Sequence, residues 1–240
     1  MLRIIVFIVS LLVLPGFCWA GEMLGQVVID PGHGGYDPGA SRKGVLEKHI
    51  NLQISLEIKK LLQGNKVDVI LTRDGDYNHA IPGLHGRDAK RYDFERRIEL
   101  AKNAKADAMV SIHVNVGRRK CSGPEAFYFK KSAQGKLLAE CIQKELHQIP
   151  GVNHRVIKTG RYYLLTHTDM PCIIVETGFL NNPEEREKLI DKKYQQTLAR
   201  AITKGIIGYL KVKDAPPAGD IKVPDYLRTY LTNLHKKVTQ

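Results

Sequence analysis

Gln26-Val27-Val28-Ile29-Asp30 runs without a break into Pro31-Gly32-His33-Gly34-Gly35. The first five residues, apolar and β-branched at their centre, read as a short strand, and the Pro-Gly pair with two further glycines stops it in a tight turn. A strand with apolar side chains on successive positions belongs in a sheet covered on both faces. Beyond the turn, Leu46, Ile50, Ile54, Ile58 and Leu61 recur at helical spacing until Gly64-Asn65 ends the pattern. Val67 to Thr72 is a second apolar run of strand length. Strand, helix, strand in this order is the unit that joins two parallel strands through a helical crossover.

The alternation continues outward from that unit. Phe94 to Ala104 reads as a helix, Ala108 to His113 and Ala126 to Phe129 as strands, and Gln134 to His147 as a helix. Tyr162 to Leu165 is expected as a short strand and Cys172 to Glu176 as a buried one. Glu184 to Ile190 and Tyr194 to Leu210 are expected as the closing helices. The implied fold is α/β, a single domain with a mostly parallel twisted sheet and helices on both faces, doubly wound. A loop rich in Gly, Asp and His, from Asp74 to about Arg91, is long enough to suggest a functional role.

The two ends differ from this middle. Arg3, the apolar run Ile4 to Leu14, the breakers Pro15-Gly16 and the small residues before a cut after Ala20 read as a secretory signal peptide over 1–20. That run is short for a membrane span. Residues 212–240 read as a linker around Pro216-Pro217 and a tail in which Asp225 to Val238 forms a short amphipathic helix, expected to dock on the domain. A net charge of +12 draws an exported protein towards anionic polymers or head groups. No nucleic-acid-binding motif accompanies it, and no partner of that kind is expected. After removal of Cys18 the three cysteines Cys121, Cys141 and Cys172 have no metal-ligand spacing; a Cys121–Cys141 bridge stays open.

In an open α/β sheet, ligands gather outside the carboxyl ends of the strands. His33 follows the first strand, Glu47 opens the next helix, and His113 and Glu176 end two later strands, so all four are expected on one rim. Two imidazoles and a carboxylate are a ligand set for catalytic Zn²⁺, with one position left for water. A further carboxylate outside that set suits proton transfer, a role that falls to Glu176. Taken singly, each residue has an ordinary structural explanation: a core histidine, a helix-terminal acid, a carboxylate on backbone N–H groups. The glycine-rich turn lacks the spacing of a nucleotide cradle.

Four stretches in order carry a resemblance: Asp30-Pro31-Gly32-His33-Gly34-Gly35, Glu47-Lys48, Ser111-Ile112-His113-Val114-Asn115, and Val175-Glu176-Thr177-Gly178-Phe179-Leu180-Asn181-Asn182. Together they resemble the zinc N-acetylmuramoyl-L-alanine amidases, over roughly Val27 to Leu210. The resemblance implies zinc held by His33, Glu47 and His113, Glu176 as catalytic acid/base, and residues 21–211 as the catalytic domain. It also implies hydrolysis of the amide between N-acetylmuramic acid and L-alanine in peptidoglycan, with Arg73 and Asn115 supporting the cleft. Some members carry a helical insertion that blocks the site until a partner removes it. The short stretch between His147 and Gly160 leaves no room for one, and no regulatory partner is identified. The expected location is exported, periplasmic or at the cell wall, with no stable membrane insertion after the signal is removed. Two other functions fit the same residues: a zinc peptidase cutting elsewhere on the stem peptide, and a wall-binding module without activity.

Overall fold

The computed structural model describes residues 23–215. The signal peptide and the tail helix expected from sequence lie outside these residues. In chain order the elements are β1 (Gly25–Pro31), β2 (Ser41–Arg42), β3 (Val45–Leu46), α1 (Glu47–Gln63), β4 (Val67–Leu71), α2 (Gly86–Asn103), β5 (Ala108–Asn115) and β6 (Glu125–Tyr128). They continue with α3 (Ala133–Leu146), β7 (Lys158–Thr159), α4 (Tyr163–His167), β8 (Cys172–Phe179), α5 (Pro183–Ile190) and α6 (Lys192–Val212).

The main sheet has the order β4-β1-β5-β8-β6-β7, and all its pairings are parallel except β6 with β8. Helices α1, α3 and α6 cover one face through Ile54, Ile58, Ile142 and Ile202. Helices α2 and α4 cover the other through Ile98, Ala101, Leu164 and Leu165, against Val28, Met109 and Ile174. Coverage of both faces explains why β1, β5 and β8 are apolar at successive positions rather than alternating. The doubly wound α/β fold read from the sequence is the one observed.

Two local expectations are corrected, and one open question is answered. Tyr162 to Leu165 is not a strand: residues Tyr163–His167 form the one-turn helix α4, in which Tyr163 stacks on Phe94 at 5.7 Å between ring centroids. The edge strand nearby is β7 instead, two exposed residues with no pattern for periodicity to detect. Helix α2 begins at Gly86 rather than near Phe94, which shortens the loop expected after Asp74 to residues 74–85. The first turns of α2 bury Ala89, Asp93 and Arg97, so a hydropathy stripe could not announce them. Cys121, Cys141 and Cys172 are all free thiols, without the bridge left open above.

Candidate metal centre

Strands β1, β5 and β8 lie side by side and run in one direction, so their carboxyl ends form one rim. His33 leaves that rim two residues after β1 ends, His113 stands near the end of β5, and Glu176 is its register partner on β8. Glu47, the first residue of α1, enters from the same side. The four residues picked from the sequence therefore meet. His33, Glu47 and His113 each offer a ligand atom, and those atoms lie within 4.8 Å of one another. Glu47 Oε1 is 3.3 Å from His33 Nε2 and 3.0 Å from His113 Nδ1, and the two imidazoles stand edge to face with centroids 4.9 Å apart.

The backbone shapes this close approach. A Cβ on Gly32 would fall 2.3 Å from the His113 ring, and a Cβ on Gly39 only 2.7 Å from both Glu47 Oε2 and the His33 ring. Only glycine lets the turn pass so near the imidazoles, and Gly39 also sits at φ 66°. His33 itself has φ 64°, the left-handed region that a residue with a Cβ rarely occupies. Such a conformation persists where surrounding contacts hold it.

Two buried arginines supply those contacts. Arg97 donates to the His33 carbonyl at 2.8 Å and the Pro31 carbonyl at 2.9 Å, and pairs with Asp30 at 2.7 Å and Asp93 at 2.9 Å. Arg73 donates to the carbonyls of Pro31, Gly32, Gly75 and Lys48, each at 2.9 Å. Lys48 Nζ ties Gly35 to Asp76. The side chain of His33 is aimed by Asp37, whose Oδ2 lies 2.9 Å from Nδ1 and leaves Nε2 facing Glu47. A carboxylate behind a metal-binding imidazole fixes its tautomer and raises its basicity.

Electrostatics follow from this crowding. Burial disfavours the charged form of Glu47, yet hydrogen bonds from His113 and His33 outweigh it and hold the carboxyl far below its usual range. Burial also works against a charged His33, but Asp37 and Glu47 lift it to about 9. The donor set fits a divalent cation: one carboxylate between two imidazoles, with ligand atoms within 4.8 Å of one another, is a combination that such ions bind. Glu176 is the opposite case. Burial raises it to about 7; His113 opposes this, and the neighbouring Glu47 and Glu125 add to it. Its Oε2 is one of four buried side-chain polar atoms without a hydrogen-bond partner among the described residues.

Of the two residues expected to support the cleft, Arg73 donates to the turn carbonyls and Asn115 Nδ2 to Glu125 Oε1 at 3.2 Å. The remaining described histidines do not join the centre. His79 contacts the Thr72 carbonyl, His49 is exposed beside Asp76, and His147 stacks on His154. Sequence reading missed Asp37, Arg97 and Glu125. Asp37 had a signal, an acid four residues after His33 within the same glycine-rich turn, whereas Arg97 and Glu125 lie far along the chain and had none.

Comparison with known proteins agrees with the geometry. The profile described as N-acetylmuramoyl-L-alanine amidase matches residues 27–208. The germination-specific N-acetylmuramoyl-L-alanine amidase of Bacillus subtilis (strain 168) is 34% identical over 203 residues, which cover 83% of this chain and 86% of that protein. Among solved structures, the CwlD amidase from Clostridioides difficile in complex with the GerS lipoprotein is 36% identical with a TM-score of 0.75, covering 78% of this chain and 99% of that one. The N-acetylmuramoyl-L-alanine amidase AmiC2 of Nostoc punctiforme is 35% identical with a TM-score of 0.69, covering 80% and 99%. A match that begins in β1 and ends in α6, shared with relatives across most of both chains, makes this chain a member of the N-acetylmuramoyl-L-alanine amidase family.

Proposed function

We propose that the protein is an exported zinc-dependent amidase that cleaves the bond between the lactyl group of N-acetylmuramic acid and L-alanine in peptidoglycan. The observation that carries this reading is the meeting of His33, Glu47 and His113 within 4.8 Å, with the unpartnered oxygen of Glu176 beside them. His33 and His113 would supply nitrogen ligands and Glu47 an oxygen ligand. When bound there, zinc supplies a Lewis acid that polarises the scissile carbonyl and acidifies a water.

The chain's own groups supply the proton chemistry and the orientation. Glu176, poised at about 7, is able both to take a proton from the attacking water and to give one to the departing amine of L-alanine. Asp37 keeps the His33 ring turned towards Glu47, and Arg97 with Arg73 keeps the His33 backbone in place, so the ligands need little reorganisation. Export is supported by the apolar leader and by a substrate that lies outside the cytoplasmic membrane. No helix among the described residues is long and apolar enough to cross a membrane.

Digestion of dye-labelled sacculi tests the reading. Release of dye should stop with a chelator and return with Zn²⁺, and the fragments should be intact stem peptides freed from glycan. Products cut within the stem would point to the peptidase, and binding without release to the inactive module. Glu176→Gln should abolish turnover with wild-type zinc content, and His113→Ala should lose zinc as well; an active Glu176→Gln enzyme would remove the acid/base role.

A further inference from the structure

The reversed strand β6 brings a second set of charges to the rim. Its first residue, Glu125, is the register partner of Glu176, and as cross-strand neighbours their side chains share a face. Glu125 is buried at 1% exposure. Arg155 Nε reaches its Oε2 at 2.6 Å and Lys158 Nζ the same oxygen at 2.8 Å. One carboxylate thus meets two cations, and the cluster keeps a surplus positive charge. Both cations lie against aromatic rings: the Arg155 guanidinium is 4.9 Å from the centroid of Phe179, and Lys158 Nζ is 5.8 Å from that of Phe127. The Lys158 side chain is 43% exposed, and its ammonium has donors beyond the one it gives Glu125.

The order of strands gives this charge a direction. Across the rim stand β1 with His33, β5 with His113, β8 with Glu176 and β6 with Glu125; on the outer strand β7, Lys158 pairs with Phe127, two residues in from Glu125, and reaches back to that carboxylate. A substrate laid across the strand ends with its scissile carbonyl at the imidazoles has its nitrogen towards Glu176, because that group protonates the amine. The departing peptide then continues over β6 and β7. Adjacent strands are about 4.8 Å apart, and an extended peptide advances about 3.3 Å per residue. Lys158 reaches back to Glu125, one strand beyond Glu176, so on that path its ammonium would meet the peptide about one to two residues past the scissile amide.

We propose that Lys158 and Arg155, anchored by Glu125, form a subsite for a carboxylate carried by the residue that follows L-alanine in the departing peptide. The buried Glu125 holds the two cations together and leaves one of their charges for the substrate. Tyr162 stands edge-on to Phe127, the ring under Lys158, at 5.5 Å between centroids. The subsite rests on the amidase reading and on Glu176 as the proton donor.

The test uses the full zinc-loaded enzyme and two synthetic N-acetylmuramoyl-L-alanyl peptides that differ only in the residue after alanine, a free carboxylate in one and its carboxamide in the other. Wild type should favour the carboxylate in kcat/KM by roughly tenfold, the size of one charge-assisted hydrogen bond. Lys158→Met should bring the ratio near one, and Lys158→Arg should restore much of it. Turnover of both peptides without preference in wild type overturns the subsite alone, as does a Lys158→Met enzyme that keeps the wild-type ratio. No turnover of either peptide by wild type overturns the amidase reading and the subsite with it.

Discussion

Replacing Arg97 with methionine removes a buried guanidinium that contacts two carboxylates and two backbone carbonyls at once. Asp30 keeps the hydroxyls of Thr72 and Ser111 but loses its cation, and the His33 carbonyl loses its donor. The Pro31 carbonyl retains Arg73, so its loss is small. Deleting one partner of a buried ion pair costs about 3–5 kcal/mol, chiefly because the other charge stays buried alone. Domains of this size hold about 5–15 kcal/mol in total. The Arg97→Met protein should therefore fold, with a urea midpoint lowered by an amount equivalent to about 4 kcal/mol at an unchanged slope. The titration belongs in chelator, since zinc bound to the native state would add its own stabilisation. If an unpaired charge is the cause, Asp30→Asn in the Arg97→Met background should recover at least about 1 kcal/mol, whereas Asp30→Asn alone should destabilise. A loss below about 1 kcal/mol, or an Asp30→Asn effect that is the same with and without Arg97, would refute this account of the turn.

Other expectations concern the same region. Burial alone would raise the Asp30 carboxyl, but Arg97, Ser111 and Thr72 outweigh it and bring it to about 2 from an ordinary 3.8. The ionised form is thus favoured by folding: its stabilisation, about 2 kcal/mol, is complete above the unfolded value and lost as pH falls from about 4 to about 2. Acid titration of chelator-treated protein should show a shallower decline in that window for Asp30→Asn, and an identical profile would contradict the assignment. Asp37→Asn should weaken zinc binding by roughly 10–100-fold, measured by competition with a chromophoric chelator; unaltered affinity would mean that Asp37 does not aim the ring. Gly32→Ala places a Cβ 2.3 Å from the His113 ring. Dialysed protein should then hold much less zinc than wild type at near-native circular dichroism, and full zinc content would show that the ring has room to move.

The large elements were legible because their residues serve one requirement. Val27 to Ile29, Met109 to Ile112 and Ile173 to Val175 are buried on both faces, and each run ends where a functional group begins. That coincidence makes the shared rim of His33, His113 and Glu176 legible in the sequence. The small elements were not legible: β2, β3 and β7 have two residues each, and α4 is a single turn, too short to express a period. Tyr162 to Leu165 shows the ambiguity, since an aromatic-aliphatic run suits a strand edge and a packed turn equally. The polar supports failed for another reason. Arg97 is as buried as a core leucine, and its role depends on carbonyls more than sixty residues away along the chain. Glu125 fell just outside the strand expected from Ala126 to Phe129, and only the antiparallel register with β8 puts it opposite Glu176.

That reversal of β6 has a consequence for how such a scaffold is altered. Because β5 ends and β6 begins at the same edge, the connection 116–124 leaves and re-enters the reactive side without crossing the body of the protein. Residues inserted there would overhang the groove while both flanking strands kept their pairing. Recognition of differently decorated walls is therefore open to redesign by lengthening one loop, at little risk to the interior that holds His33, Glu47 and His113 together.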